Sequence, residues 1–323
     1  MAISGPSSYV STTDEFITHW GLADAALGAG NEIALKGGVT LATLTAKKNA
    51  LVAKRTLLQE NLTLLEVARG DIQVRKLELL DLFNKFTDRV RSLYAGTKWE
   101  RALPTAPGIG EGLGNFTDPL DKAASLWKLI NDDPALADIV IVGVTHAQFV
   151  TKTADLKTAF TSRANAGTVA DVTREERNDL QDEIYEILKN YRQALPSHFA
   201  TGHALIDSLP RLTPEPGATP EAVTAAVVYV PATGQVRITH TKSTAANFAQ
   251  YEYRMTRGLT WSDDDDEVIG NVTDIDTLEF LSNAGVETAG VSAVYRAFVK
   301  TTTGNEKGSN TVVVTRPLSP APP

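Results

Sequence analysis

The stretch GIGEGLG, residues 108–114, has the glycine spacing of a phosphate loop. Such a loop works when it follows a strand and opens a helix, so that backbone amides meet the phosphate at the helix N-terminus. This one follows LPTAP, and a flexible linker is the expectation. The run SDDDDEV, residues 262–268, gathers Asp263, Asp264, Asp265 and Asp266. Hard carboxylate oxygens can hold Ca²⁺, which makes these four aspartates a weak candidate cation site. The turn glycine and closing glutamate of an EF-hand loop are missing. A solvated acidic loop between strands is therefore expected, of the kind that keeps an edge strand from pairing wrongly.

The remaining chemistry-bearing residues are scattered. The histidines are His19, His146, His198, His203 and His240. His198 and His203 are five apart, not the three or four that place two ligands on one helical face. There is no Gly-x-Ser-x-Gly elbow, and no cysteine for thiolate, disulfide or Cys-type zinc chemistry. The carboxylate pairs Glu175–Glu176 and Asp182–Glu183 fall on polar helix faces. The reading is of no catalytic residue, no cofactor-binding residue, no cofactor, and no metal ligand beyond the four aspartates.

The elements that would have to position such residues show a pattern of their own. "GGVTLATL" at 37–44 is echoed by "VGVTHAQF" at 142–149. Upstream, Trp20 parallels Trp127. Downstream, Ala42, Leu44, Lys47 and Leu51 parallel Ala147, Phe149, Lys152 and Leu156. Farther on, Leu79, Leu82, Phe83, Phe86 and Val90 parallel Ile184, Ile187, Leu188, Tyr191 and Leu195, and Leu-Pro landmarks close both copies. Residues 9–110 and 116–213 read as two copies of one unit.

Within a copy, Leu44, Leu51, Leu58 and Leu65 recur every seven residues, the stripe of one amphipathic helix of ~25 residues. Thr40 is a candidate N-cap, and Thr145 with Gln148 a capping box. Gly70-Asp71 is expected to break the first helix. In "NAGTVADVTREE", Gly167 is expected to end one helix, and Thr173 with Glu176 to cap the next. Each copy is then a helical hairpin, and two hairpins close as a four-helix bundle in which each covers the other's apolar seam. "EIALKGG" and "DIVIVGV" are read either as short strands, paired across the pseudo-two-fold axis, or as turns that begin the long helices.

After the Pro-rich linker 213–221 the periodicity becomes alternating. Seven runs from "AVVYV" to "NTVVVT" read as strands, and seven in ~95 residues indicate a β-sandwich. "VRITHTKSTAANFAQYEYRMT" resembles the second and third strands of a fibronectin type III domain, with Tyr251 and Tyr253 opening the third strand and His240 where that family often has Trp. "YRAFVKTTTGNEKGSNTVVVT" resembles its last two strands, with Tyr295 on the strand that carries the tyrosine corner. The whole layout is similar to a group of uncharacterised bacterial proteins with a helical N-terminal region and a fibronectin type III-like C-terminal domain. That resemblance implies architecture and no activity. The expected fold class is thus α+β and multidomain: helical repeats at 1–112 and 113–212 packed as one four-helix bundle, the linker, then a seven-stranded fibronectin type III-like sandwich at 222–323 with a Pro-rich tail.

A net charge of −8 argues against a general nucleic-acid binder, which needs concentrated basic surface, and against adsorption to anionic membranes. The longest apolar runs are far short of the ~20 residues of a membrane span. "MAISGPSSYV" has neither the basic nor the apolar region of a signal peptide. The expectation is a soluble protein, either cytoplasmic or extracellular by a signal-independent route. Two function classes are carried forward. One is a non-enzymatic structural protein whose partner is itself, in an oligomer, filament or surface layer. The other is an adhesin or surface binding module that recognises a glycan or a protein through the sandwich loops around Asn271–Asp276 and Thr303–Ser309.

Overall fold

The computed structural model describes residues 3–141, 143–214, 217 and 219–318. Val142 of the second Gly-Val-Thr echo, Glu215, Pro216 and Ala218 of the linker, and the tail from 319 lie outside the described residues. The architecture is α+β: long helices, then antiparallel sheets. The helices are α1 (Tyr9–Leu27), α2 (Leu41–Leu93), α3 (Lys98–Arg101), α4 (Leu113–Asn131), α5 (His146–Ala194) and α6 (Ala204–Asp207). Among the described residues no helix is long and apolar enough to cross a membrane.

The expected helical hairpins do not form, and with them goes the four-helix bundle built from them. α2 runs through Gly70-Asp71 and α5 runs through Gly167. An interior glycine costs a helix only about 1 kcal/mol. Here the helix gains an Asp71–Arg75 ion pair at 2.8 Å, and the buried seam continues through Ile72, Leu79, Phe83 and Phe86. Thr173 is not a cap. Its hydroxyl donates back to the Val169 carbonyl at 2.9 Å and accepts from Asn61 Nδ2 at 3.0 Å. The capping box at Thr145 and Gln148 is present, with bonds of 2.8 and 3.2 Å.

The chain divides into two compact units, Met1–Glu66 with Val169–Pro323, and Val67–Thr168. The expected boundaries at 112 and 212 are not where this division falls, because each unit draws on both sequence copies. The core of the first unit gathers Phe16 and Trp20 of α1, Leu44 and Leu51 of α2, and Ile184, Leu188 and Tyr191 of α5. The core of the second gathers Trp127 of α4, Phe149 and Leu156 of α5, and Leu79, Phe83 and Phe86 of α2. Each is a short helix packed on the start of its own long helix and the end of the other copy's.

Trp20 accordingly stacks on Tyr191, with ring centres 4.5 Å apart, and Trp127 stacks on Phe86 at 5.4 Å. The return loops also match. Asp24 Oδ1 accepts the Ile33 amide at 2.8 Å, and Asn131 Oδ1 accepts the Ile139 amide at 2.7 Å. Each loop closes on a local bridge, Leu35 with Val39 and Ile141 with Val144. Among the described residues these stretches are therefore turns that begin the long helices.

Among the described residues the C-terminal part has eight strands: β1 (Ala225–Val230), β2 (Gln235–His240), β3 (Phe248–Arg257), β4 (Glu267–Val272), β5 (Glu279–Ser282), β6 (Ser292–Thr301), β7 (Glu306–Gly308) and β8 (Val312–Thr315). All pairings are antiparallel. One sheet has the order β1-β2-β5. The other has β4-β3-β6-β7, with β8 also on β6. Seven were expected. The eighth, β7, forms inside the expected loop 303–309, where Lys307 and Gly308 pair with Val299 and Phe298 of β6. The inner faces share one core of Val227, Val236, Ile238, Tyr251, Tyr253 and Tyr295.

The Tyr295 hydroxyl donates to the Ala284 carbonyl, 11 residues upstream, at 2.6 Å, the geometry of a tyrosine corner. Replacing Tyr295 with phenylalanine leaves that carbonyl without its donor, and a loss of about 1–2 kcal/mol is expected in urea unfolding. An unchanged midpoint would deny the bond any structural role.

Candidate functional site

The acidic run is divided: Asp263 and Asp264 are exposed, Asp265 is half-buried and Asp266 is buried. β3 carries buried residues on both faces: Tyr251, Tyr253 and Met255 face the sandwich core, while Glu252, Arg254 and Thr256 on the other face are also covered. Arg254 is the centre of that covered face. Its guanidinium bonds Glu252 at 2.6 Å, Asp266 at 3.0 Å and Glu306 at 2.7 Å, and lies 4.0 Å over the Phe298 ring. Lys300 adds a 3.2 Å bond to Glu252. Burial opposes the charge on Arg254, but Glu306, Glu252 and Asp266 together outweigh it and raise its pKa above the ordinary arginine value. Burial pushes Asp266 and Glu267 above the usual carboxylate range.

The neighbouring aspartates meet arginines of the helices. Asp265 takes a bidentate grip from Arg174, Nε to Oδ1 at 2.7 Å and Nη2 to Oδ2 at 2.8 Å. Its carbonyl accepts from Gln59 at 3.3 Å, and the Asp264 carbonyl accepts from Arg177. Asp263 accepts the Trp261 indole N–H at 2.6 Å. The Asp265 carboxylate is thus engaged by an arginine on both oxygens. Among the described residues no group of three or more His, Asp or Glu converges as a metal site. The loop does structural work: it fastens the sandwich to α2 and α5 within one compact unit.

The glycine-rich stretch has the polarity opposite to a phosphate loop. Its carbonyls, not its amides, converge: Lys76 Nζ donates to Ile109 O at 3.1 Å and Glu111 O at 2.6 Å. The lysine is buried beside Phe116, and burial lowers its pKa.

The histidines stay apart. His146 bonds the Ala124 carbonyl at 3.0 Å. His203 caps α6, accepting the Leu205 amide at 3.2 Å, and stacks on Phe199, next in sequence to His198. His19 donates from Nε2 to the Leu205 carbonyl at 2.9 Å and accepts the Tyr191 hydroxyl on Nδ1 at 2.8 Å. His240 is buried in the sandwich. It donates from Nδ1 to the Thr241 carbonyl at 3.0 Å and accepts the Tyr253 hydroxyl on Nε2 at 2.8 Å. In each case the carbonyl fixes the neutral tautomer.

Burial lowers the pKa of both His19 and His240, against the opposing pull of those backbone bonds. A histidine depressed in the folded state binds fewer protons there than in the unfolded chain. Its stabilisation is complete above the ordinary histidine value of about 6.5 and fades as pH falls from there toward the depressed value. Stability should drop between pH 7 and pH 5, and His240→Gln should flatten the profile. Subtracting the two denaturation profiles cancels the carboxylates, and parallel curves would remove His240 as a contributor.

One open cleft of about 450 Å³ sits on this unit. Ser4, Arg211 and Thr213 form one wall, and Gln250 with Thr301–Gly304 of the β6–β7 turn forms the other. The expected recognition loop 303–309 thus contributes its first two residues to the cleft, then becomes β7. The loop 271–276 is held by its own turn, with Asp274 accepting the Asp276 amide at 3.1 Å and the Thr277 hydroxyl at 2.8 Å.

Sequence reasoning missed Arg174, Arg177, Lys76 and Arg254. The one local signal is that Arg174 and Arg177 lie three apart on α5, which puts both on one face.

The described geometry defines a helical protein with a two-sheet antiparallel β-domain and an arginine-bound acidic loop. No family model matches the chain, and no curated protein matches it. Four solved chains resemble parts of it, two of which are these. One is pectate lyase PelI from Erwinia chrysanthemi in complex with tetragalacturonic acid, at 19% identity and a TM-score of 0.24. That likeness covers 29% of this chain and 28% of the lyase's own length. The other is the fourth fibronectin type III domain of a human protein, at 18% identity and a TM-score of 0.27, covering 33% of this chain and 86% of that domain. The sandwich assignment stands on the strand order, the shared core and the Tyr295 bond rather than on either likeness.

Proposed function

We propose that this chain is a non-enzymatic structural protein that associates with itself, in an oligomer, filament or surface layer. The observation that supports this reading is the apolar surface on the outside of the helices. Leu22 of α1 is 58% exposed, Leu64 of α2 60% and Leu129 of α4 59%. A surface helix usually turns polar residues to water, and large apolar residues on its outer face suit contact with another protein. The resemblance to bacterial proteins with a helical front and a fibronectin type III-like end belongs to the same proposal. Light scattering of the purified chain over a hundredfold range of concentration tests it. Mass should rise with concentration, and a strict monomer throughout would defeat it.

The second reading is a binding module for a glycan or a protein. It is favoured by the polar cleft beside Thr301–Gly304, because sandwich domains carry recognition on their loops. A monomer that bound a ligand saturably and lost it on Thr302→Trp would favour this reading over the first.

A further inference from the structure

We propose that the outer face of the first half of α2 is the self-association surface, and that its partner is the same face of a second copy running antiparallel. This inference rests on the self-association reading and names its interface.

Ala46, Ala50, Ala53, Leu57, Glu60 and Leu64 are all exposed. Their spacing is four, three, four, three, four, the a/d repeat of a coiled-coil seam. At 100° per residue this stripe lies about half a turn from the buried seam of Leu44, Leu51, Leu58 and Leu62. The helix therefore carries two apolar stripes, and its own unit covers only one. The lysines near the outer stripe lean away from it: Lys47 pairs with Glu183, Lys48 with Asp14 and Lys54 with Glu176.

Side-chain size and charge choose the occupant and its direction. The stripe tapers, with alanines in its first half and leucines in its second. Interhelical distance follows side-chain size, from about 8 to 10 Å, so two copies side by side in parallel would splay at the leucine end. Run antiparallel, Ala46 faces Leu64, Ala50 faces Glu60 and Ala53 faces Leu57, large against small at each level, and the separation stays even. Glu60 then faces Ala50 of the second copy, a small uncharged residue. In the parallel arrangement Glu60 would face Glu60, a like-charge contact that disfavours it.

The chain has no cysteine, so single introduced thiols report the pairing. Full-length Ala46→Cys and Leu64→Cys variants are mixed under mild oxidation. The mixture should give a disulfide-linked dimer, while Ala46→Cys alone should not. In the antiparallel pair its two copies are about 27 Å apart along the helix, and a disulfide needs Cα atoms within about 7 Å. Separately, Leu57→Glu with Leu64→Glu should raise the dissociation constant at least about tenfold, with the circular dichroism spectrum unchanged because both side chains face outward. Cross-linking of Ala46→Cys to itself, or association untouched by the two glutamates, would overturn this interface. If the native chain associates and both assays are silent, this face alone is wrong. A native monomer at every concentration takes the self-association reading down with it.

Discussion

Replacing Arg254 with alanine is expected to lower the free energy of unfolding by about 3–5 kcal/mol, the loss typical when one partner of a buried ion cluster is removed. The magnitude follows from what is left behind. Glu252 and Asp266 have side chains 9% and 3% exposed, and Glu306 13%. Without the guanidinium three carboxylates share a dry space, with Lys300 as the remaining cation bonded there, 3.2 Å from Glu252 and 3.6 Å from Glu306. The chain must protonate them, admit water or separate the sandwich face from its cover. Arg254→Met should fare no better, since it restores packing and not charge. Adding Glu252→Gln and Glu306→Gln to Arg254→Met should recover part of the loss, because the repulsion then disappears. Salt should change the native stability little, as buried pairs are weakly screened. Urea unfolding measures all of this, and an Arg254→Ala chain within 1 kcal/mol of the native one, by that estimate, would mean the cluster is solvated.

Trp127→Ala is expected to have a comparable effect, about 3–5 kcal/mol for an aromatic removed from a core. Trp127 is 1% exposed and packs on Phe86 and Phe149. The two copies allow a sharper comparison. Trp127 Nε1 donates to the Ile139 carbonyl at 3.0 Å, while Trp20 Nε1 is buried with no hydrogen-bond partner among the described residues. Replacing each with phenylalanine removes similar volume but different hydrogen bonding. Trp127→Phe should therefore be worse than Trp20→Phe by about 1 kcal/mol. Equal losses, measured in the same denaturant series, would show that the indole N–H at 127 contributes nothing net.

The sequence by itself determined the duplication and nearly all of the helical core. Leu79, Phe83 and Phe86 in one copy and Ile184, Leu188 and Tyr191 in the other occupy corresponding places in their two cores. Hydrophobic spacing is a local property, so it reports which face of a helix is buried whatever covers that face. The Thr145–Gln148 cap and most of the strands were legible for the same reason, since caps, turns and alternation are written within a few residues. What covers each face was decided only by the tertiary structure. A seam that reverses at Gly70 and one that continues through it have the same periodicity, and one interior glycine is too weak to choose between them. Asp265 reads as solvent-facing because its partner is remote: Arg174 lies 91 residues away, and Arg177 lies 87 from the Asp264 carbonyl it meets. A charge run carries no mark of whether water or an arginine will meet it, because that depends on which distant surface the fold brings alongside.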